Sequence, residues 1–183
     1  MIWFTADLHL GHGGKDGKSG ILKYCNRPFF DIDQMDTELI NRLNECVMSE
    51  DTIYNIGDFC FGNPKKYVDR LNGHLFLLRG SHDKNSEKYV QPNSIAIIQP
   101  LKDEYGNPRT IVLCHYSMRS WPVSHYASWH LFGHHHGKLE PYGLSFDVGT
   151  DTNNFYPYSL DDIEKKMRTL KPIVDFRRPK ELE

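Results

Sequence analysis

Short apolar runs alternate with polar, glycine-containing segments through the first half of the chain. Residues 1–6, Asp51 to Ile56 and Leu75 to Leu78 read as three buried strands. Between the first two, Met35, Leu39, Leu43 and Val47 recur at four-residue intervals with Ile40 alongside. That stripe predicts an amphipathic helix over Asp33 to Met48, with Asp31 or Asp33 as its N-cap. Pro64 to Leu71 predicts a short helix with proline in its first turn. The resulting β-α-β-α-β alternation is that of a parallel sheet covered by helices.

The second half reads differently. Ile95 to Ile98 and Thr110 to Cys114 are β-branched runs joined through the turn signal Glu104-Tyr105-Gly106-Asn107-Pro108. Leu131-Phe132 and Leu144 to Val148 predict two more strands around Pro141-Tyr142-Gly143, so the back half is expected to be mainly antiparallel. Ser159, with Asp162 three residues on, resembles a capping box opening a last helix to about Leu170. The fold class expected is α/β with α+β mixed sheets. Residues 1–171 are expected to form one domain and 172–183 a C-terminal tail, with no internal repeat or linker to divide them.

A length of 183 residues allows one sizeable core. The formal charge of −2 gives no global attraction to nucleic acid or an anionic membrane, so phosphate recognition would have to be local. Four scattered cysteines without a C-x-x-C pair fit a reducing compartment. Without a basic leader or an apolar stretch of roughly 18 residues, a soluble cytoplasmic protein is expected.

Eight aspartates and histidines follow separate apolar runs: Asp7, His9, Asp58, His82, Asp83, His115, His134 and His136. Ligands of α/β sheets bind outside the carboxyl ends of the strands, so these positions point to one shared site. Singly each has an ordinary structural explanation, since a lone histidine at a strand end is most often hydrogen-bonded structure. In Gly133-His134-His135-His136-Gly137, residues i and i+2 can face one way in an extended segment. The glycine-rich stretch from Gly11 to Gly20 reads as a mobile loop. It is not a P-loop, because that pattern needs glycine where His12 stands.

Taken together, Asp7-x-His9, Gly57-Asp58, Gly80-Ser81-His82-Asp83, His115 and Gly133-His134-x-His136 resemble the ordered motifs of the calcineurin-like metallophosphoesterase superfamily. Residues 2–7, 24–29 and His115-Tyr116 look like its small bacterial and phage phosphoesterases. The resemblance implies a β-sandwich flanked by α-helices and a dinuclear metal site. Asp7, His9 and His136 would hold one ion, His115 and His134 the other, and Asp58 would bridge them. Two divalent ions about 3.5–4 Å apart can share a bridging hydroxide as nucleophile for in-line attack on phosphorus. His82 would serve as general acid, with Asp83 orienting its imidazole. The oxygen and nitrogen donors place manganese first, with iron, nickel, zinc or magnesium compatible.

Ser81 departs from the motif, which has a metal-ligating asparagine there. A serine hydroxyl is a shorter and weaker donor, so the second metal and the turnover are expected to weaken. An introduced substitution, a natural variant that fills the gap with water and a degenerate member all fit. His12, Arg27 and Arg119, with Lys18, are the candidates to bind a substrate phosphate. Tyr116, Trp121, Tyr126 and Trp129 form an aromatic stretch that could stack on a base or belong to the core. The expected activity is a phosphodiesterase on nucleotide-type substrates. A phosphomonoesterase, an impaired metal- or nucleotide-binding protein and a structural zinc site are the alternatives. Expected partners are a phosphoester small molecule or nucleotide, or nucleic-acid ends, without a membrane. Oligomeric state is left open.

Overall fold

Two four-stranded mixed sheets flanked by helices make up the protein, in a computed structural model that describes residues 1–84 and 88–173. In the first sheet, β1 (Ile2–Thr5) pairs in parallel with β2 (Thr52–Asn55). β2 in turn pairs in parallel with β3 (His74–Leu77). Between β1 and β2 lie the one-turn α1 (Ile21–Tyr24) and the long α2 (Ile32–Cys46), and between β2 and β3 the short α3 (Lys65–Val68). The Asp31 side chain accepts from the Gln34 N–H and caps α2. Met35, Leu39, Ile40 and Leu43 of α2 are buried against Leu8, Leu10, Phe59 and Leu77.

The second sheet runs β4 (Ile95–Lys102), β5 (Pro108–Cys114), β6 (Trp129–Phe132) and β7 (Ser145–Asp147) in sequence order. Here the expectation of a mainly antiparallel back half is corrected. β4 and β5 form an antiparallel pair, whereas β5, β6 and β7 are parallel. Residues 115–128 and 133–144 are crossovers rather than hairpin turns, and each has about the dozen residues that a parallel return requires. Pro141-Tyr142-Gly143 therefore bends a crossover and does not reverse a hairpin. Parallel pairing also sends the carboxyl ends of β5 and β6 to one edge.

β8 (Tyr158–Ser159), not foreseen in the sequence, adds to β1 in antiparallel fashion and runs directly into α4 (Leu160–Arg168). The Ser159–Asp162 capping box is fully formed. One core cluster draws Phe4, Ala6 and Ile56 from the first sheet, Ile111, Leu113, Leu131 and Phe146 from the second, and Ile163 and Met167 from α4. Just past the strands, Ala6 bridges Gly149, which joins the two sheets where β1 and β7 end. The tail expected at 172–183 lies outside the described residues from 174 onward. Among the described residues, no helix is long and apolar enough to cross a membrane.

Candidate metal centre

The chain leaves each of β1, β2 and β6 through left-handed backbone. Asp7 has φ 57°, His9 52°, Asp58 54°, His134 72° and His136 50°. An L-residue in that region costs on the order of 1–2 kcal/mol, and such outliers gather where surrounding structure imposes them for function. Glycines let these loops close on one another. A Cβ on Gly133 would stand 2.6 Å from Asp7 Oδ2, and one on Gly57 would stand 2.7 Å from His115 Nδ1. On Gly80 it would collide with the Asp58 carboxylate and N–H.

The loops bring two ligand groups together. Donor atoms of Asp7, His9 and His136 lie within 4.8 Å of one another, as do those of Asp58, His115 and His134. Asp58 Oδ2 faces both groups, 3.6 Å from His9 Nε2 and 3.3 Å from His115 Nε2. The other oxygen, Oδ1, accepts the His82 N–H at 2.8 Å, which fixes the carboxylate plane.

Second partners aim the imidazoles. His115 Nδ1 lies 2.9 Å from the Ile56 carbonyl, so Nδ1 carries the proton and Nε2 turns a lone pair inward. His136 Nδ1 lies 2.7 Å from Asp151 Oδ2, leaving Nε2 for the cluster. Asp7 Oδ2 accepts the His134 N–H at 2.8 Å.

Charge in the site is unbalanced. Burial raises the Asp7 carboxyl to about 7, against the lowering influence of His136 and His115. Burial lowers the His9 imidazole to about 2, only partly opposed by Asp58, so it is neutral as a ligand must be. For His136, burial also lowers the pKa, but Asp151, Cys25 and Asp7 outweigh it and hold the ring at about 10. Asp58 is likewise pushed up by burial, yet His115, the His82 N–H and His9 hold it below the carboxylate range.

Several buried polar atoms here have no hydrogen-bond partner: Asp7 Oδ1, both ring nitrogens of His9, and His115 Nε2. An unsatisfied buried polar atom costs about 1–3 kcal/mol. Unpartnered nitrogen and oxygen donors gathered in two neighbouring groups have the chemistry of divalent-cation ligands, and the residues fit that role.

Two expected roles are corrected by the geometry, and one open alternative is decided. Asp83 does not orient His82. Its buried carboxylate accepts the N–H groups of Asp58, Phe59 and Gly80 and so holds the loops after β2 and β3 together. Arg27 does not reach toward substrate. Its guanidinium is enclosed, paired with Asp151 and donating to the carbonyls of Asp7 and Leu8. Trp121 and Trp129 offer no stacking surface because both are buried in the core.

His82 is exposed, with its ring 5.4 Å from that of His9 and 6.0 Å from that of His12. His12 stacks on Phe61 at 3.9 Å, with Nδ1 buried and unpartnered. Ser81 Oγ donates to Asp58 Oδ2 at 2.9 Å. Arg119 is set apart beside Tyr142, and the Lys18 ammonium lies over the Phe30 ring. Tyr116 is exposed, its ring 4.9 Å from that of His134, and Tyr126 is exposed beside His125.

Sequence reasoning missed Asp151 and Cys25, which with His136 form a third close group. It also missed Asp147, whose carboxylate accepts the N–H groups of Gly137 and Gly149. The one available signal was position, since Asp147 ends β7 and Asp151 follows it, as the other acids follow their strands.

No protein-family model matches the chain. It is similar to the uncharacterized protein MJ1445 of Methanocaldococcus jannaschii, at 31% identity over 176 residues, covering 90% of this chain and 89% of that one. Among solved structures it is similar in fold to the protein of unknown function AQ665 from Aquifex aeolicus. That match has a TM-score of 0.66 at 21% identity and covers 91% of this chain and 98% of the other. A looser match, to a single mutant of Vps29 from Entamoeba histolytica, has a TM-score of 0.43 at 18% identity, covering 81% of this chain and 72% of that one.

Proposed function

This chain belongs to the same family as MJ1445 of Methanocaldococcus jannaschii, and from the site it carries we propose that it is a metal-dependent phosphoester hydrolase of the calcineurin-like type. One observation supports this reading above the others. Asp58 Oδ2 stands between His9 Nε2 and His115 Nε2, so a single carboxylate links two three-ligand groups. A structural zinc site would gather one closed set of four ligands instead.

Asp7, His9 and His136 would hold one cation, His115 and His134 a second, and Asp58 both, with manganese the first candidate. Bound divalent cations supply Lewis acidity, lowering the pKa of water and neutralising charge on phosphoryl oxygens. The chain's own residues do the rest. Ile56 and Asp151 fix the ring orientations of His115 and His136, and the Asp83 carboxylate clamps the loop that carries Asp58. His82, exposed beside His9, is the proton donor to the leaving oxygen, and its backbone N–H is tied to Asp58 Oδ1. His12, with its ring stacked on Phe61 and 6.0 Å from that of His82, is the group to hold a phosphoryl oxygen. Phosphodiesters of nucleotide type are the substrates proposed, and the exposed Tyr116 ring beside His134 suits a base-bearing ligand.

Ser81 favours a second reading. Its hydroxyl is bonded to Asp58 Oδ2, the oxygen shared between the groups, which suits a binding protein with impaired turnover. The deciding experiment measures manganese content and hydrolysis of bis-p-nitrophenyl phosphate for the parent, Asp58→Asn and Ser81→Asn. The hydrolase reading expects turnover in the parent, its loss with metal in Asp58→Asn, and a gain of both in Ser81→Asn. Manganese retained with no turnover of mono- or diesters by parent or Ser81→Asn would establish the binding role instead.

A further inference from the structure

A groove of about 490 Å³ opens over Phe132 at the end of β6 and Ser145 at the start of β7. Met118 and Arg119 form one wall and Leu139, Glu140, Pro141 and Tyr142 the other. Both walls continue chain segments that carry proposed ligands. The first follows His115, and the second follows the loop of His134 and His136. Ser117 Oγ, 3.1 Å from His135 Nε2, ties the first wall to the histidine loop. Tyr116 extends an exposed aromatic surface from the His134 ring to the start of this wall. His135, bonded to Ser117 of this wall, has its ring centre 5.2 Å from that of His134, so the groove adjoins the ligand loop.

The chemistry of the walls selects the occupant. Met118, Leu139, Pro141 and Tyr142 are apolar, and the Arg119 guanidinium carbon stands 5.2 Å from the centre of the Tyr142 ring. A phenol and a guanidinium together offer flat π and cationic surfaces, which take planar heteroaromatic rings. Glu140 adds an acceptor for a ring amino group. The volume is within the roughly 300–1,000 Å³ range of small-molecule sites and holds a nucleoside-sized group.

We propose that this groove holds the nucleobase of the phosphoester, with Tyr142 as its stacking surface, Arg119 alongside it and the phosphate on the His134 side. The assignment rests on the phosphoester reading of the metal centre and specifies its substrate class. It differs from a general aromatic platform, because the tryptophans of the same stretch are core.

The test compares AMP with ribose 5-phosphate, which lacks the base, by calorimetric titration of the full chain with manganese present. AMP is expected to bind about tenfold more tightly, the loss of one base–aromatic stack. Tyr142→Ala should abolish that preference and Tyr142→Phe should keep it. Unchanged ribose 5-phosphate affinity in both variants would exclude a damaged fold. Equal affinity for the two ligands, binding of neither, or a preference that survives Tyr142→Ala would overturn the groove assignment. Failure of the hydrolase reading looks different: the AMP preference would persist while bis-p-nitrophenyl phosphate is not turned over.

Discussion

His136 is held from behind, and its support starts 109 positions earlier in the chain at Arg27. Arg27 forms a two-pronged pair with Asp151, Asp151 accepts from His136 Nδ1, and the same guanidinium donates to the carbonyls of Asp7 and Leu8. One enclosed cation thus sets a ligand from each sheet. Arg27→Met would leave the Asp151 carboxylate with His136 as its one cationic partner among the described residues and those carbonyls without their donor. Such a change costs about 3–5 kcal/mol, so thermal denaturation should show a large fall in Tm, and manganese affinity should fall with it. Arg27→Lys should recover only part, since an ammonium cannot reproduce the fork. Asp36 is a simpler case. Its Oδ1 accepts the Gly11 N–H beside Tyr67, and burial raises its carboxyl above the ordinary value despite these bonds. A raised folded pKa means that stability from the protonated form is complete below the unfolded value and is lost as pH rises through the folded one. Asp36→Asn removes that loss. Its Tm relative to the parent should therefore rise as pH climbs from about 4, the ordinary carboxylate value, through the raised folded one, and a constant difference would contradict the assignment.

At the scale of elements, helices and caps follow local rules while the loops do not. The α2 stripe and its Asp31 cap were legible because side-chain periodicity and an N-terminal acceptor are properties of neighbouring residues. The same holds for α4, where Ser159 and Asp162 satisfy each other's backbone donors. Ser159→Ala should cost about 1 kcal/mol in a urea titration, with an unchanged m-value. Because α4 contributes Ile163 and Met167 to the core between the sheets, this loss should appear in global unfolding. The strand-end loops depend instead on tertiary packing. Their left-handed residues are aspartates and histidines, which gain nothing locally from that conformation beyond a modest tolerance in Asp and His. What stabilises them is the close approach of neighbouring loops, seen where Gly80 abuts Asp58 and Gly133 abuts Asp7.

For the whole molecule, the proposed cations would act as cross-links between the sheets. Asp7, His9 and Asp58 come from loops of the first sheet, and His115, His134 and His136 from loops of the second. A ligand that binds only the folded state stabilises by about 2.7 kcal/mol at a hundred times its Kd. For a chain of this size that amounts to a Tm rise of roughly 5–10 °C. Differential scanning calorimetry should show the rise with manganese, its reversal by EDTA and its absence in Asp58→Asn. A manganese-independent Tm in the parent would count against both ligand groups.

Legible in the chain alone were the β-α-β-α-β first half, α2 and α4 with their caps, and the order in which acids and imidazoles follow apolar runs. Each of these is written in residues a few positions apart, where burial and periodicity are local. Tertiary structure alone decided that β5, β6 and β7 run parallel, that Asp83 binds backbone amides rather than His82, and that Arg27 turns inward to Asp151. Strand direction depends on how a crossover packs, and a buried donor goes to whichever acceptor the fold brings near. Arg27 and Asp151 are 124 residues apart, and no spacing in the chain encodes that meeting.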